Sequence, residues 1–541
     1  MKLLFRNPIP KLVKALSKKE RLVFYVALAV FSASLLTYSA LFVKTGTYVL
    51  PAAGGTYREG MVGQPAFINP ILPSGASTET DRLLSRLVFA SLADMAETVK
   101  HSADGKIWNV RLKDGIRWHD GEKVTADDVV FTVDTIQNPE MRSWLQGSFE
   151  GVTVSRVSEL EVEFTLQNSY AFFAEDHLAS FRPIPKHIFA DIPAVNFTRS
   201  SFGLAPIGSG LYRVASHEKD SKGYVETLTL ESNRDYFERS AYIENLIFNF
   251  FKKEADLVSA YNLGQLDGFG LSTAESLSER PILIRHQLHY LSSSRYYAIF
   301  INQNVAPNAL SDVSVREELS AAIDRDELID TALNGQGTPF FGPTHQSPEP
   351  TASFSTEGFE GLNLRLIAPE ESFLVKTAEK VKKDWEFLGI QTELIVRSSR
   401  DIQQDILPNA NYEMLLFGNI VKENGDLFAF WHSSKTSFPD QNLALYQSSY
   451  VDGLLETYRT TFDEETRVAL LQKIGDTIAD DFPAIFLYSP NYVYITTPSL
   501  GGFDDQKIIN TSDDRFADVA DWFVKSNRSF RTPIAAAKDS T

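Results

Sequence analysis

The chain has 541 residues, more than one hydrophobic core usually organises, so two or three core units are expected. Hydrophobic residues at 43% and aromatics at 12% exclude a disordered chain, and the absence of cysteine excludes disulfides, thiol catalysis and thiolate metal sites together. Seven basic residues and one acid give residues 1–21 a charge of +6, which leaves −24 of the net −18 to the remainder and argues against nucleic acid, since phosphates need a basic face. Most of that acidity serves solubility, and its long-range preference for cationic ligands is weak at physiological salt.

Residues 1–21 precede an uncharged run from Leu22 to Val43. Those 22 residues span a bilayer as a helix, and the basic flank stays in the cytoplasm, so everything after Lys44 lies outside. A cleaved signal peptide carries a shorter apolar region of about 7–15 residues. Ala52-Ala53-Gly54 is a weak cleavage site. The run is therefore expected to be a retained single-pass anchor, with 44–55 as a linker and the main domain extracytoplasmic.

Thr56 to Gly63 reads as a strand, residues 66–70 as a loop and residues 81–92 as an amphipathic helix. The densest local signal follows at 106–138. Trp108, Val110 and Leu112 alternate with Asn109 and Arg111, the period-two pattern of a half-buried strand. Lys113-Asp114-Gly115 turns the chain, Ile116-Arg117-Trp118 resumes the extended pattern, and His119-Asp120-Gly121-Glu122 turns it again. Thr125-Ala126-Asp127-Asp128 has the form of a helix start, and Val129, Val133 and Ile136 then share one helical face.

The run R-L-K-D-G-I-R-W-H-D-G-E-K-V-T-A-D-D-V-V-F at 111–131 resembles the signature of the family 5 extracellular solute-binding proteins, the peptide-binding components of ABC importers. The resemblance implies an α/β fold of the type II periplasmic-binding-protein kind. Two lobes, counted as three subdomains, would surround a ligand cleft behind the N-terminal transmembrane helix. It also implies that 106–138 is scaffold. Gln64-Pro65-Ala66-Phe67-Ile68-Asn69-Pro70 resembles the family's opening loop, which places Ala76 and Ser77 of the next loop near the cleft. Many relatives are tethered through a lipidated cysteine; a chain without cysteine would rely on its helix instead.

Residues 151–166 alternate in two runs about a Ser-Glu turn, a β-hairpin. Residues 181–189 resemble the family's P-I-x-P-K-H segment, and Pro206-Ile207-Gly208-Ser209-Gly210-Leu211-Tyr212 its P-x-G-(S/T)-G-P-Y crossover, with Leu211 in place of proline. Ser209 between two glycines fits neither a nucleophile elbow nor a phosphate loop, so tight turning explains it. Residues 233–237 and 263–267 are further scaffold matches.

Tyr296–Asn302 is a short apolar strand, expected to cross between lobes, and by resemblance it borders the cleft, which makes Asn302 a candidate polar contact. Residues 312–325 resemble the family's D-x-x-V-R-x-A-L-x-x-A-I-D-R. Val315, Leu319, Ala322 and Ile323 make its helical stripe, with Asp312 capping the start and Asp324 and Arg325 at the far end. Residues 342–361 read as a polar surface excursion. A strand from 362, a helix over 373–388 and a strand from 389 then imply a second α/β lobe. Residues 464–481 read as a helix, and 482–488 as the strand that brings the chain home.

Tyr412–Trp431 carries the specificity. Peptide-binding relatives commonly show Y-D-x-x-x-x-G-W-x-x-D here, where the carboxylate receives the ligand's ammonium through a charge-assisted bond. In this chain Asn419 replaces the tryptophan after Gly418, and Lys422 stands near the expected acid, with Glu423 and Asp426 beyond. Either acid can substitute: Asp426 as the ligand partner, or Glu423 if Asp426 is structural.

The candidate ligand-binding residues are therefore Asp426, Glu423, Gly418, Asn419, Asn302, Ala76, Ser77 and Trp431. Histidines have no metal-ligand spacing and no motif orders a nucleophile, so the sequence reads as a monomeric receptor, not an enzyme, without metal or cofactor. The expected division is 56–91 for the first part of lobe 1, 92–200 for its second subdomain, 201–297 for its continuation, 298–480 for lobe 2, 481–525 for the return to lobe 1 and 526–541 for a disordered tail. The function implied is delivery of oligopeptides to an ABC permease. Binding of a sugar or metal chelate, or peptide sensing or holding without transport, is the alternative.

Overall fold

A computed structural model of the chain describes residues 17–72, 78–275, 277, 280–305, 308–345, 347, 359 and 361–530. The apolar run lies within one helix, Lys18–Gly46, opened by a reciprocal cap in which the Ser17 N–H donates to Glu20 Oε2 at 2.8 Å. Its 29 residues make a rod about 44 Å long, more than the ~30 Å of a bilayer's hydrocarbon core. Residues 22–42 are exposed along it.

The helix runs directly into strand Thr47–Ala52, which pairs antiparallel with Lys525–Phe530, from Thr47 opposite Phe530 to Ala52 opposite Lys525. This corrects two expectations. Residues 44–55 are not a linker, and ordered structure reaches Phe530 where a disordered tail was expected from 526. Neither segment shows a strong apolar alternation, so local pattern could not announce a pairing made across the whole chain. The rest of the expected tail, 531–541, lies outside the described residues.

Two large sheets form the body. The first has eight strands in the order Ile508–Ile509, Gln287–Ser293, Tyr492–Thr496, Gly268–Leu271, Thr56–Val62, Asn245–Phe251, Val225–Ser232 and Tyr212–Lys219. The second has six, in the order Gly337–Pro339, Ala484–Pro490, Arg295–Ile301, Met414–Ile420, Asn363–Pro369 and Gln391–Arg397. A separate four-stranded antiparallel sheet is formed by Ala96–His101, Ile107–Leu112, Glu161–Thr165 and Thr153–Ser158. There Trp108, Val110 and Leu112 are buried, as the alternation predicts, and Val129, Val133 and Ile136 of helix Ala126–Gln137 are fully buried.

The chain crosses between the large sheets twice, and each crossing is a single residue: Ser294 between Ser293 and Arg295, and Asn491 between Pro490 and Tyr492. The crossings touch, since Ser489 Oγ donates to the Ser293 carbonyl at 2.7 Å. This corrects the expected boundaries. Arg295–Ile301 lies wholly in the second sheet, and Ala484–Pro490, expected as the returning strand, is a fully buried member of the same sheet. Hydrophobicity marks both strands as central but does not say in which sheet.

Residues 312–325 hold one whole short helix and the start of another. Asp312 caps Val313–Ala321 by accepting the Ser314 N–H at 3.0 Å, and Asp324 caps Arg325–Leu333 by accepting the Glu327 N–H at 2.9 Å. Arg316 and Arg325 are buried and spend their guanidinium groups on carbonyls, donating to Phe482 O and Phe486 O at 2.9 Å each, so both helices are tied to the segment around Ala484–Pro490. Most of the expected excursion at 342–361 lies outside the described residues.

Candidate functional site

No residue of 106–138 lines the cavities between the lobes, and the histidine of that segment shows a structural role. The Gly208 N–H donates to His119 Nδ1 at 3.2 Å while Nε2–H donates to Gly210 O at 3.2 Å, so the ring is neutral and fastens the turn to the 206–212 crossover. Burial drives its pKa from 6.5 to about 4, with Arg213 also lowering it and the Gly210 carbonyl and Asp120 opposing. The glycines around Ser209 are steric: a Cβ at Gly208 would stand 2.0 Å from Val88 O, and one at Gly210 2.5 Å from Leu87 O.

Between the lobes runs a groove of three cavities. At the crossings lies one of about 470 Å³, walled from the first lobe by Glu79, Arg82 and Asn510 and from the second by Tyr297, Glu371 and Gly418. A Cβ at Gly418 would lie 2.9 Å from the Tyr297 ring, so glycine lets the strand pass that side chain. Arg82 and Asn510 also line a middle cavity of about 370 Å³, with Ser85, Arg182 and Glu423. Trp144, Asp176 and Ser180 join the middle cavity to an outer one of about 620 Å³, lined also by Tyr170, Lys422 and Asp426.

The outer cavity is where the second lobe meets the four-stranded subdomain. The Ala171 N–H donates to Arg459 O at 2.7 Å, and the Phe462 ring stacks on His101 at 4.3 Å. Two carboxylates and two cations interleave there. Lys422 Nζ donates to Asp176 Oδ2 at 3.0 Å and stands 3.7 Å from Asp426 Oδ2, while Arg459 Nε stands 3.4 Å from Asp426. The Arg459 guanidinium lies between the rings of Tyr170 and Phe428, at 4.6 and 4.4 Å. Asp426 also accepts the Phe428 N–H at 3.1 Å, and the Tyr170 hydroxyl donates to Asp176 and reaches Asp426 at 3.3 Å. Burial, then the charges of Asp426 and Asp176, pushes the Tyr170 phenol well above its ordinary range.

The two candidate acids therefore differ. Asp426 is only 3% exposed at its side chain and its charge is matched inside the protein. Glu423 is exposed on the middle cavity and enters no ion pair or hydrogen bond among the described residues. Lys422, near the position where the sequence pattern suggests an acid, bridges buried Asp426 and half-buried Asp176.

Three other candidates sit elsewhere, which corrects their expected place at the cleft. Asn419 follows Gly418 on the strand and so turns to the opposite face; it is 7% exposed, and its Oδ1 accepts the adjacent Ile420 N–H at 3.1 Å. Asn302 pins a loop: its Nδ2 donates to Ala410 O and its Oδ1 accepts the Asn304 N–H, each at 3.0 Å. Trp431 is fully buried between Phe300, Tyr446 and Phe486. Ala76 and Ser77 lie outside the described residues. Sequence reasoning missed Tyr170, Asp176, Arg459, Ser85 and Arg182, which come from segments with no ligand signature. Only Arg182, a lone charge within Phe181-Arg182-Pro183-Ile184, carried a signal. Among the described residues no group of three or more histidines and acids could hold a metal.

Two α/β lobes joined by adjacent single-residue crossings, with a polar groove between them, define a two-lobed binding protein of the type II periplasmic class. The family model for bacterial extracellular solute-binding proteins, family 5 (middle), matches residues 92–442, and the chain belongs to that family. It is a family of solute receptors, not of enzymes. The oligopeptide-binding protein AppA of Bacillus subtilis (strain 168) is 24% identical over 499 residues, covering 84% of this chain and 89% of AppA. The structure of AppA in complex with a nonapeptide matches with a TM-score of 0.67 at 20% identity, covering 88% of this chain and 100% of that one. The ABC transporter substrate-binding protein CtaP of Listeria monocytogenes matches with a TM-score of 0.74 at 25% identity, covering 87% and 99%. NikZ of Campylobacter jejuni, in complex with Ni(L-His), matches with a TM-score of 0.68 at 19% identity, covering 86% and 99%, a likeness of fold alone.

Proposed function

We propose that the protein is a membrane-anchored, extracytoplasmic and monomeric receptor that binds oligopeptides in the interlobe groove and delivers them to an ABC importer. The observation that carries this reading is the continuity of the groove, since the middle cavity shares Arg82 and Asn510 with the cavity at the crossings and Trp144, Asp176 and Ser180 with the outer one, and the walls come from both lobes. A long polar cleft suits a ligand whose backbone amides are paired without regard to side-chain identity. Glu423 is the carboxylate that takes the peptide ammonium, because its charge is uncommitted, while Asp426 belongs to the wall. A ligand touching both lobes favours the closed arrangement by its differential contacts, and Ser294 and Asn491 are the points about which the lobes move.

Mass spectrometry of small molecules that co-purify with the full-length protein in detergent tests the reading. A mixture of peptides supports it; a single sugar or metal chelate overturns it.

A further inference from the structure

The ribbon between the N-terminal helix and the body leaves much of its own surface uncovered. Among the described residues Thr47–Ala52 pairs with Lys525–Phe530 alone, so the ribbon has two strands and belongs to neither large sheet. Two strands by themselves are marginal in water and need packing against something further. Its apolar side chains are nonetheless turned out, with Tyr48 40% exposed, Val49 47%, Leu50 41% and Phe530 63%. Cations share that surface. Lys44, Lys525 and Arg528 are exposed and enter no ion pair among the described residues, and Arg528 Nη1 donates to the Thr47 hydroxyl at 3.2 Å. No Asp or Glu occurs in 44–55 or in 522–530, although the chain's net charge is −18.

The ribbon's distance from the apolar run selects the partner. Thr47 is four residues beyond Val43, the last of the uncharged run, which at the helical rise is about 6 Å. The headgroup layer on each face of a bilayer is roughly 5–7 Å deep. A ribbon that follows a spanning helix without a linker therefore begins in that layer. Aromatic rings and exposed Lys and Arg are the side chains this layer favours, the rings at the headgroup level and the cations on anionic lipid. An acidic body is repelled by such lipid, and the ribbon is the acid-free segment set against it.

We propose that the ribbon lies on the membrane surface, with Tyr48 and Phe530 among the headgroups and Lys44, Arg528 and Lys525 answered by the phosphates of anionic phospholipid. The proposal rests on the membrane-anchor reading and adds an orientation to it. The residues after the ribbon are tied to the first sheet, since the Gly54 N–H donates to Tyr242 O at 2.7 Å and Gly55 O accepts the Asn245 N–H at 3.1 Å. Lipid that holds the ribbon thus sets the tilt of the body. Three cations orient a body that a helix already retains; they do not anchor it.

Hydrogen exchange on the full-length protein in nanodiscs tests it, with phosphatidylcholine alone or mixed equally with phosphatidylglycerol. The amides of 47–52 and 525–530 are expected to exchange about tenfold more slowly in the mixed discs. Those of Gln391–Arg397, an edge strand of the second sheet, should not change. Lys525→Gln/Arg528→Gln is expected to lose the difference, and Lys525→Arg/Arg528→Lys to keep it, because the lipid reads charge. High salt should erase the difference in the wild type by screening, a measurement that needs no variant. Equal exchange in the two lipids overturns the proposal, as does a difference that survives high salt or the loss of both charges. If the full-length chain does not enter the discs, the anchor reading fails by itself. Sedimentation with excess phosphatidylglycerol vesicles at low salt then decides the ribbon: pelleting of the wild type that is lost in Lys525→Gln/Arg528→Gln upholds the contact, and no pelleting, or pelleting that the variant retains, overturns it.

Discussion

Glu423 and Asp426 stand three positions apart in one loop, yet their surroundings give them opposite roles. Glu423→Gln should weaken peptide binding by about tenfold, since a charge-assisted bond is lost, and should change stability by no more than about 0.5 kcal/mol. Asp426→Asn should do the reverse, lowering stability by about 3 kcal/mol because Lys422 and Arg459 lose their shared counter-charge. Calorimetry and urea unfolding on both variants separate the roles; weakened binding at unchanged stability in Asp426→Asn would exchange them. A second residue-scale prediction concerns Glu59 and Arg515, 1% and 2% exposed at their side chains and joined at 2.8 Å beneath the Tyr57 and Tyr494 hydroxyls. Arg515→Met should cost about 3–5 kcal/mol in urea unfolding by stranding a buried carboxylate, and adding Glu59→Gln should recover part of the loss. The acids at 423 and 426 were both legible in the sequence. Which of them has an uncommitted charge was not, because Asp426 is answered from Lys422 beside it and from Arg459 far along the chain.

At the scale of elements, local pattern carried most of the reading. The strand Ile107–Leu112, the helix Ala126–Gln137 and the hairpin Thr153–Ser158 with Glu161–Thr165 lie where alternation and the helix-start signal place them, since each rests on contacts among near neighbours. The turn between them has a pH signature. His119 binds its proton less readily in the folded state, with a pKa of about 4 against 6.5, so the unfolded chain holds more protons between those values. Its contribution is complete above pH 6.5 and is lost as pH falls from 6.5 towards 4, reaching about 3 kcal/mol. His119→Asn should flatten that part of the stability profile measured by urea midpoints between pH 7 and pH 4.5; an unchanged slope would show that the ring titrates freely. Sheet membership was the illegible part. Arg295–Ile301 and Ala484–Pro490 are apolar on both faces, which says "central strand" without naming the sheet.

For the whole molecule, the apolar N-terminal helix and the body meet without slack. Helix Lys18–Gly46 passes into a strand held by Lys525–Phe530, so the first and last described elements are joined. A chain beginning at Thr47 keeps this ribbon and should be recovered soluble with peptide affinity unchanged, whereas the full chain should sediment with membranes until detergent is added. Recovery of the full-length gene product in the soluble fraction with a shortened N-terminus would show that the helix is removed.

By itself the sequence determined the family, the α/β elements and the apolar segment, because each is written in contiguous residues: a run of motif, a period of two or 3.6, an unbroken stretch without charge. Tertiary structure alone decided that the lobes change hands at Ser294 and Asn491, that Asn302, Asn419 and Trp431 are buried away from the groove, and that Glu423 faces the groove while Asp426 is answered within its wall. Strand pairing and charge compensation join residues up to hundreds of positions apart, and whether a buried or cleft-lining charge is already answered depends on what the fold brings beside it.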